Sequence, residues 1–134
     1  MKDLKKILLA EDEEDIQIIA QMALEEIGGF KVCHCRNGLE ALEQIETFQP
    51  QIVLLDVMMP KMDGLTAFEE LKKRGLLAEL PIVFMTAKVQ NHEIHEYLEK
   101  GATGVIIKPF DPMELPNQVQ ELWKKWNQGN GAAS

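Results

Sequence analysis

The chain has 134 residues, 46% of them hydrophobic, and a formal net charge of −8. That length supports one domain around one core and leaves no room for a second of ordinary size. The acidity disfavours direct nucleic-acid binding, which needs clustered Lys and Arg against phosphates, and the apolar runs fall well short of the roughly 18 residues that span a bilayer. No signal-peptide h-region opens the chain, so a cytoplasmic protein that meets other proteins or a cation is the expectation.

Residues 6–10 read as a first strand, followed at once by the acidic run Glu11, Asp12, Glu13, Glu14 and Asp15. Taken alone, that run is a solvated helix start, since acidic side chains favour a helix N-terminus. Ile16, Ile19, Ala20, Ala23, Leu24 and Ile27 then recur at helical period, and Gly28 and Gly29 end the helix. In the second strand, residues 31–35, Cys33 and Cys35 share one face and His34 points to the other. Two cysteines are too few for a disulfide framework, and their spacing is too short for ordinary structural zinc, so reduced thiols at a core are expected.

Gly38 opens a second helix bearing Leu39, Leu42, Ile45 and Phe48, and residues 52–56 form a third strand. A third helix carries Leu65, Phe68 and Leu71; a fourth strand covers 82–86; a weaker helix covers 91–100 and ends at Gly101; a fifth strand covers 105–108. The last helix is expected to start at Asp111 and Pro112, with Glu114 completing a capping-box-like start. It carries Leu115, Val119, Leu122, Trp123 and Trp126, and Pro116 should distort its first turns. Residues 127–134 are small and polar, which predicts a flexible tail after a domain spanning 1–126.

Strict alternation of strand and helix predicts a doubly wound α/β fold, a five-stranded parallel sheet covered on both faces by five helices. Ligands of such folds bind beyond the carboxyl ends of the strands, which here directs attention to Glu11, Asp12, Asp56, Thr86 and Lys108. Each has a plain structural explanation by itself: Asp56 as a turn or cap residue, Thr86 as a good strand former, Lys108 as a strand end. Together they are a chemical set. Clustered carboxylates are relieved by a hard cation such as Mg²⁺, Lys108 supplies a compact positive charge, and Thr86 offers a hydroxyl donor. Such a set stabilises a phosphoryl group in transfer, with Asp56 as the oxygen nucleophile.

Over residues 4–126 the sequence resembles the response-regulator receiver family of two-component signalling. The resemblance rests on Glu11 and Asp12 after the first strand, on Asp56 within Leu54, Leu55, Asp56, Val57, Met58, Met59 and Pro60, and on Met62, Asp63 and Gly64. It extends to Thr86 before Ala87 and to Lys108 before Pro109 and Phe110. It implies a flavodoxin-like sheet of order 2-1-3-4-5, a cis bond at Lys108–Pro109, and a phosphoacceptor at Asp56 charged by a sensor histidine kinase or histidine phosphotransfer protein. It also implies Mg²⁺ held by Asp12 and Asp56, by Glu11 directly or through water, and by the Met58 backbone carbonyl. Lys108, the Thr86 hydroxyl and the Ala87 amide would receive the phosphoryl group and pull the following loop inward, switching a downstream protein effector. Such a chain is a switch that assists its own phosphorylation and dephosphorylation rather than a conventional enzyme.

The sequence departs from that pattern at Val105, where many receivers carry Tyr or Phe three residues before the lysine. Tyr97 is the alternative carrier of a signalling role. Met58 and Lys88 should flank the path of water to an acyl phosphate, and an apolar Met58 predicts slow loss of phosphate. His92 and His95 lack the spacing of a helical zinc motif and are expected on a solvated output surface with Tyr97 and Val105. With only eight residues after Trp126, no helix-turn-helix follows, so the expected output is through another protein. A partner-binding pseudo-receiver that is never phosphorylated is the competing class. An aspartyl-phosphate phosphatase is a further one, for which the second acid two residues after Asp56 is missing, Met58 standing there.

Overall fold

In the computed structural model, which describes residues 3–87 and 90–129, the alternation becomes β1 (Lys6–Ala10), α1 (Glu14–Met22), β2 (Lys31–Cys35), α2 (Gly38–Phe48), β3 (Ile52–Asp56) and α3 (Gly64–Lys73). After these come β4 (Ile82–Ala87), α4 (Asn91–Lys100), β5 (Gly104–Lys108) and α5 (Leu115–Gly129). The strands pair in parallel, as the alternation predicts, in the order β2-β1-β3-β4-β5 that the family resemblance implies. Every residue of β3 is buried, as a central strand covered on both faces requires.

Side chains alternate across the sheet, so one strand feeds two cores. Leu8, Ala10, Val53, Leu55, Ile82 and Phe84 face α2 and α3, where they meet Ala41, Phe68 and Leu71. Ile7, Leu9, Ile52, Leu54, Val83, Met85 and Ile106 face α1 and α5, against Ala20, Leu24, Val119 and Trp123. Each fully buried Leu, Ile or Phe contributes roughly 1.5–3 kcal/mol relative to exposure, so register is strongly specified along the central strands.

Local chemistry sets the helix starts. Asn37 Oδ1 accepts from Glu40 N at 3.0 Å to cap α2, and Asp63 Oδ1 accepts from Thr66 N at 2.8 Å to cap α3. The start of α5 differs from expectation. Asp111 takes the amides of Met113, Glu114 and Leu115 into a turn of its own, and the helix begins at Leu115. Pro116 therefore lies in the first turn, where a missing N–H costs nothing, and no distortion follows. The other end is also longer than composition suggests: α5 continues through Asn127, Gln128 and Gly129, with Asn127 Nδ2 donating to the Trp123 carbonyl at 2.8 Å. The rest of the expected tail, 130–134, lies outside the described residues.

The first helix is a further correction. After Met22 it widens into a π-helical stretch, Ala23–Ile27, in which Gly28 N reaches back five residues to Ala23 O. Ala20, Ala23 and Leu24 are buried, whereas Ile19 and Ile27 stay 46% and 49% exposed.

Candidate phosphoacceptor site

Three strands end at one edge of the sheet and carry the acidic set there. Glu11 follows β1, Asp56 closes β3, and Lys108 closes β5. The Lys108 ammonium reaches across the end of β4 to lie 2.5 Å from Glu11 Oε1 and 3.2 Å from Asp56 Oδ1. Glu11 and Asp56 are buried, at 0% and 4% exposure, while Asp12 stands exposed at the rim. One oxygen from each of Glu11, Asp12 and Asp56 falls within 4.8 Å of the others, the only such gathering of three metal-ligating side chains among the described residues. Hard oxygen donors at that separation suit a small divalent cation.

Three carboxylates crowd one end of the sheet. Burial pushes the Asp56 carboxyl up to about 7, and the adjoining Glu11 carboxyl adds to it, against the pull of Lys108. Burial works against the Lys108 charge too, yet its bonds to Glu11 and Asp56 outweigh that and hold the ammonium above its ordinary range. Lys108 is therefore a fixed cation aimed at the Asp56 oxygen.

Backbone geometry holds these groups in place. Glu11 N donates to Cys35 O at 3.0 Å, Glu13 N donates to Glu11 Oε2 at 3.1 Å, and Met58 N lies 3.4 Å from Asp56 Oδ1. Gly64 is pressed onto the end of β3, where an added Cβ would stand 2.2 Å from the Asp56 carbonyl oxygen. The Lys108–Pro109 peptide bond is cis.

The remaining sequence candidates are distributed differently. The Thr86 hydroxyl is turned to the carbonyl of Ala87 at 3.4 Å rather than to Asp56, and Ala87 is exposed at the end of β4. The Met58 side chain is 76% exposed; Lys88 lies outside the described residues. Val105 sits beside Phe84 in the β4–β5 register, and the Tyr97 ring of α4 packs on the same Phe84 with centroids 5.0 Å apart. His92 and His95 are exposed on α4, outside the acidic cluster.

Two residues named in the sequence without a role at the site help to shape it. Asp63 anchors the loop after Asp56 by capping α3, a role that its place before Gly64 and three residues before Thr66 suits. His34 bonds the carbonyl of Glu11; its only sequence signal is a polar residue at the carboxyl end of an otherwise apolar strand.

Residues 7–120 match the model of the response regulator receiver domain family. The chain is 37% identical over 121 residues to the alkaline phosphatase synthesis transcriptional regulatory protein PhoP of Bacillus subtilis, covering 90% of this chain and 49% of that protein. It is 32% identical over 128 residues to the response regulator Rre1 of Synechocystis, covering 96% of this chain and 55% of the other. The chain thus spans about half the length of the curated relatives it matches. Among solved structures, a response regulator from Chloroflexus aurantiacus superposes with a TM-score of 0.80 at 28% identity, over 91% of this chain and 99% of that one. The chemotaxis response regulator CheY4 of Vibrio cholerae superposes equally well, with a TM-score of 0.80 at 26% identity, over 89% and 98% of the two chains.

Proposed function

The chain belongs to the response regulator receiver family of two-component systems, and we propose that it accepts a phosphoryl group on Asp56 from the phosphohistidine of a sensor histidine kinase or a histidine phosphotransfer protein. The observation that carries this reading is the fixed Lys108 ammonium 3.2 Å from a buried Asp56 carboxylate in a cluster of three acids. An Asp56 oxygen attacks phosphorus, the new P–O bond forms as the P–N bond breaks, and the imidazole nitrogen leaves with the electron pair. Lys108 neutralises charge that grows on the phosphoryl oxygens.

Glu11, Asp12, Asp56 and the Met58 carbonyl would hold Mg²⁺, which offsets the charge of the three carboxylates and of the incoming phosphate. Burial and the adjoining Glu11 raise the Asp56 carboxyl to about 7, so a cation held there would favour its ionised form. Beside the site, Ile16 and Ile19 with Pro109, Phe110 and Pro112 line an apolar cleft of about 350 Å³ that ends at Ala87 and Lys108. An apolar wall at the phosphoacceptor favours a protein donor, whose helix can lay an apolar face there.

After transfer, the Thr86 hydroxyl turns from Ala87 toward the phosphoryl oxygens, and the Ala87 amide joins it. That rearrangement is the switch read by a downstream protein, through the face bearing Val105, Tyr97, His92 and His95. The protein acts in the cytoplasm as a phosphoprotein in phosphorelay signalling. Intact mass after incubation with acetyl phosphate and Mg²⁺ tests the reading. A single added phosphoryl group in the wild type, absent in Asp56→Asn and after EDTA, is expected; a wild type that stays unmodified leaves the partner-binding pseudo-receiver in its place.

A further inference from the structure

Hydrogen bonds from β2 hold both sides of the Glu11 backbone. On one side the Glu11 amide donates to Cys35 O at 3.0 Å, extending the β1–β2 ladder one residue past its last paired position, Ala10 with Cys35. On the other side His34 Nε2 lies 2.8 Å from Glu11 O. A carbonyl oxygen can only accept, so Nε2 carries a proton and is the donor of this bond. This contact is a side chain from an edge strand gripping the peptide unit that joins the two acidic residues.

The consequence follows from peptide planarity. The Glu11 carbonyl and the Asp12 N–H belong to one rigid, trans unit. Drawing the carbonyl to β2 turns the Asp12 N–H away from it and limits the directions in which Glu11 and Asp12 leave the chain. The Glu11 side chain is already fixed by Lys108 and by Glu13 N, whereas Asp12 is exposed at the rim. His34 also walls the cleft of about 360 Å³ into which Asp12 opens, with Glu14, Gln17 and Arg36 around it. Asp12 therefore owes its placement to its backbone, and its backbone to His34.

We infer that His34 is a positioning residue: its Nε2–H fixes the Glu11–Asp12 peptide so that the acidic pair meets a divalent cation without first paying to order the loop. The inference rests on the proposed cation-binding reading of Glu11, Asp12 and Asp56. Removing a partner that orients metal ligands typically weakens metal binding by about 10- to 100-fold. The backbone contact here acts at one remove, so the lower end applies.

His34→Val and His34→Gln separate the donor from the ring. Valine is a good strand residue that donates nothing, and glutamine carries an amide N–H at nearly the reach of Nε2. Two measurements on the whole protein are needed: titration with MgCl₂ alone by calorimetry, and hydrogen exchange of the Asp12 and Glu13 amides in EDTA. The expected result is Mg²⁺ affinity about tenfold weaker in the valine variant with faster exchange at both amides, and both restored in the glutamine variant. Wild-type affinity and wild-type exchange in His34→Val would overturn the inference. Should the wild type itself take up no Mg²⁺, the functional reading fails, and the exchange experiment alone decides whether His34 holds the peptide.

Discussion

Lys108 and Asp56, 52 residues apart in sequence, stand 3.2 Å from each other at the ends of β5 and β3. The contact stabilises an ionised Asp56 but does not overcome burial and the adjacent Glu11, so the carboxyl rests near 7. An acid raised in the folded state holds its proton more tightly there than in the unfolded chain, so stability falls with rising pH wherever the folded chain keeps a proton that the unfolded chain has lost. Relative to a group that never ionises, Asp56 costs nothing below about pH 4, an increasing amount as pH rises toward about 7, and a constant amount above it.

Asp56→Asn removes that cost. In EDTA at pH 8 the variant should be more stable than the wild type by on the order of 2–4 kcal/mol, with the gain shrinking as pH falls and vanishing near pH 4. Urea denaturation across that range checks the sign. Added Mg²⁺ should raise the stability of the wild type and leave Asp56→Asn nearly unchanged.

Gly64 is the tightest backbone contact at the site. A Cβ there would lie 2.2 Å from the Asp56 carbonyl oxygen and 3.1 Å from Val57 Cα, and neither atom belongs to a movable side chain. Gly64→Ala should cost about 3 kcal/mol and slow phosphoryl transfer from acetyl phosphate by displacing Asp56. A variant as stable and as reactive as the wild type would show that the end of β3 yields more readily than the packing implies.

The exposed thioether of Met58 presents no hydrogen-bonding group to water approaching an Asp56 phosphate. Met58→Asn adds one. Loss of phosphate should quicken about fivefold, the factor that one added hydrogen bond of roughly 1 kcal/mol delivers. Following the decay of the phosphorylated mass after removal of the donor measures it, and an unchanged or slower rate counts against a water path beside residue 58.

Cys35 is fully buried, and burial with the neighbouring Cys33 raises its thiol far above the ordinary range, whereas Cys33 is half-buried. Because the thiolate is the reactive form, iodoacetamide should label only Cys33 of the folded protein, and both cysteines only in urea. Peptide mapping distinguishes the two, and labelling of native Cys35 would indicate that β2 opens easily.

The sheet and most of the site were legible because their signals are local and repeated. A strand buried on both faces must be apolar almost throughout, so residues 6–10, 52–56 and 82–86 announced themselves, and parallel strands bring their carboxyl ends to one edge. Glu11, Asp12, Asp56 and Lys108 could therefore be gathered on paper. Other features depend on contacts that no short window contains. Ile19 and Ile27 keep helical period yet stay exposed, since period marks an apolar stripe but not how much of its width the sheet covers. Asp111 looks like a helix cap but spends its carbonyl and carboxylate on a separate turn, which moves the start of α5 to Leu115. The outward turn of the Thr86 hydroxyl and the grip of His34 on Glu11 are set by neighbours in space. Residue types and their order determined which chemistry this chain can support; three-dimensional packing decided which of those side chains are held ready for it, since hydrogen-bond direction and burial exist only once distant segments meet.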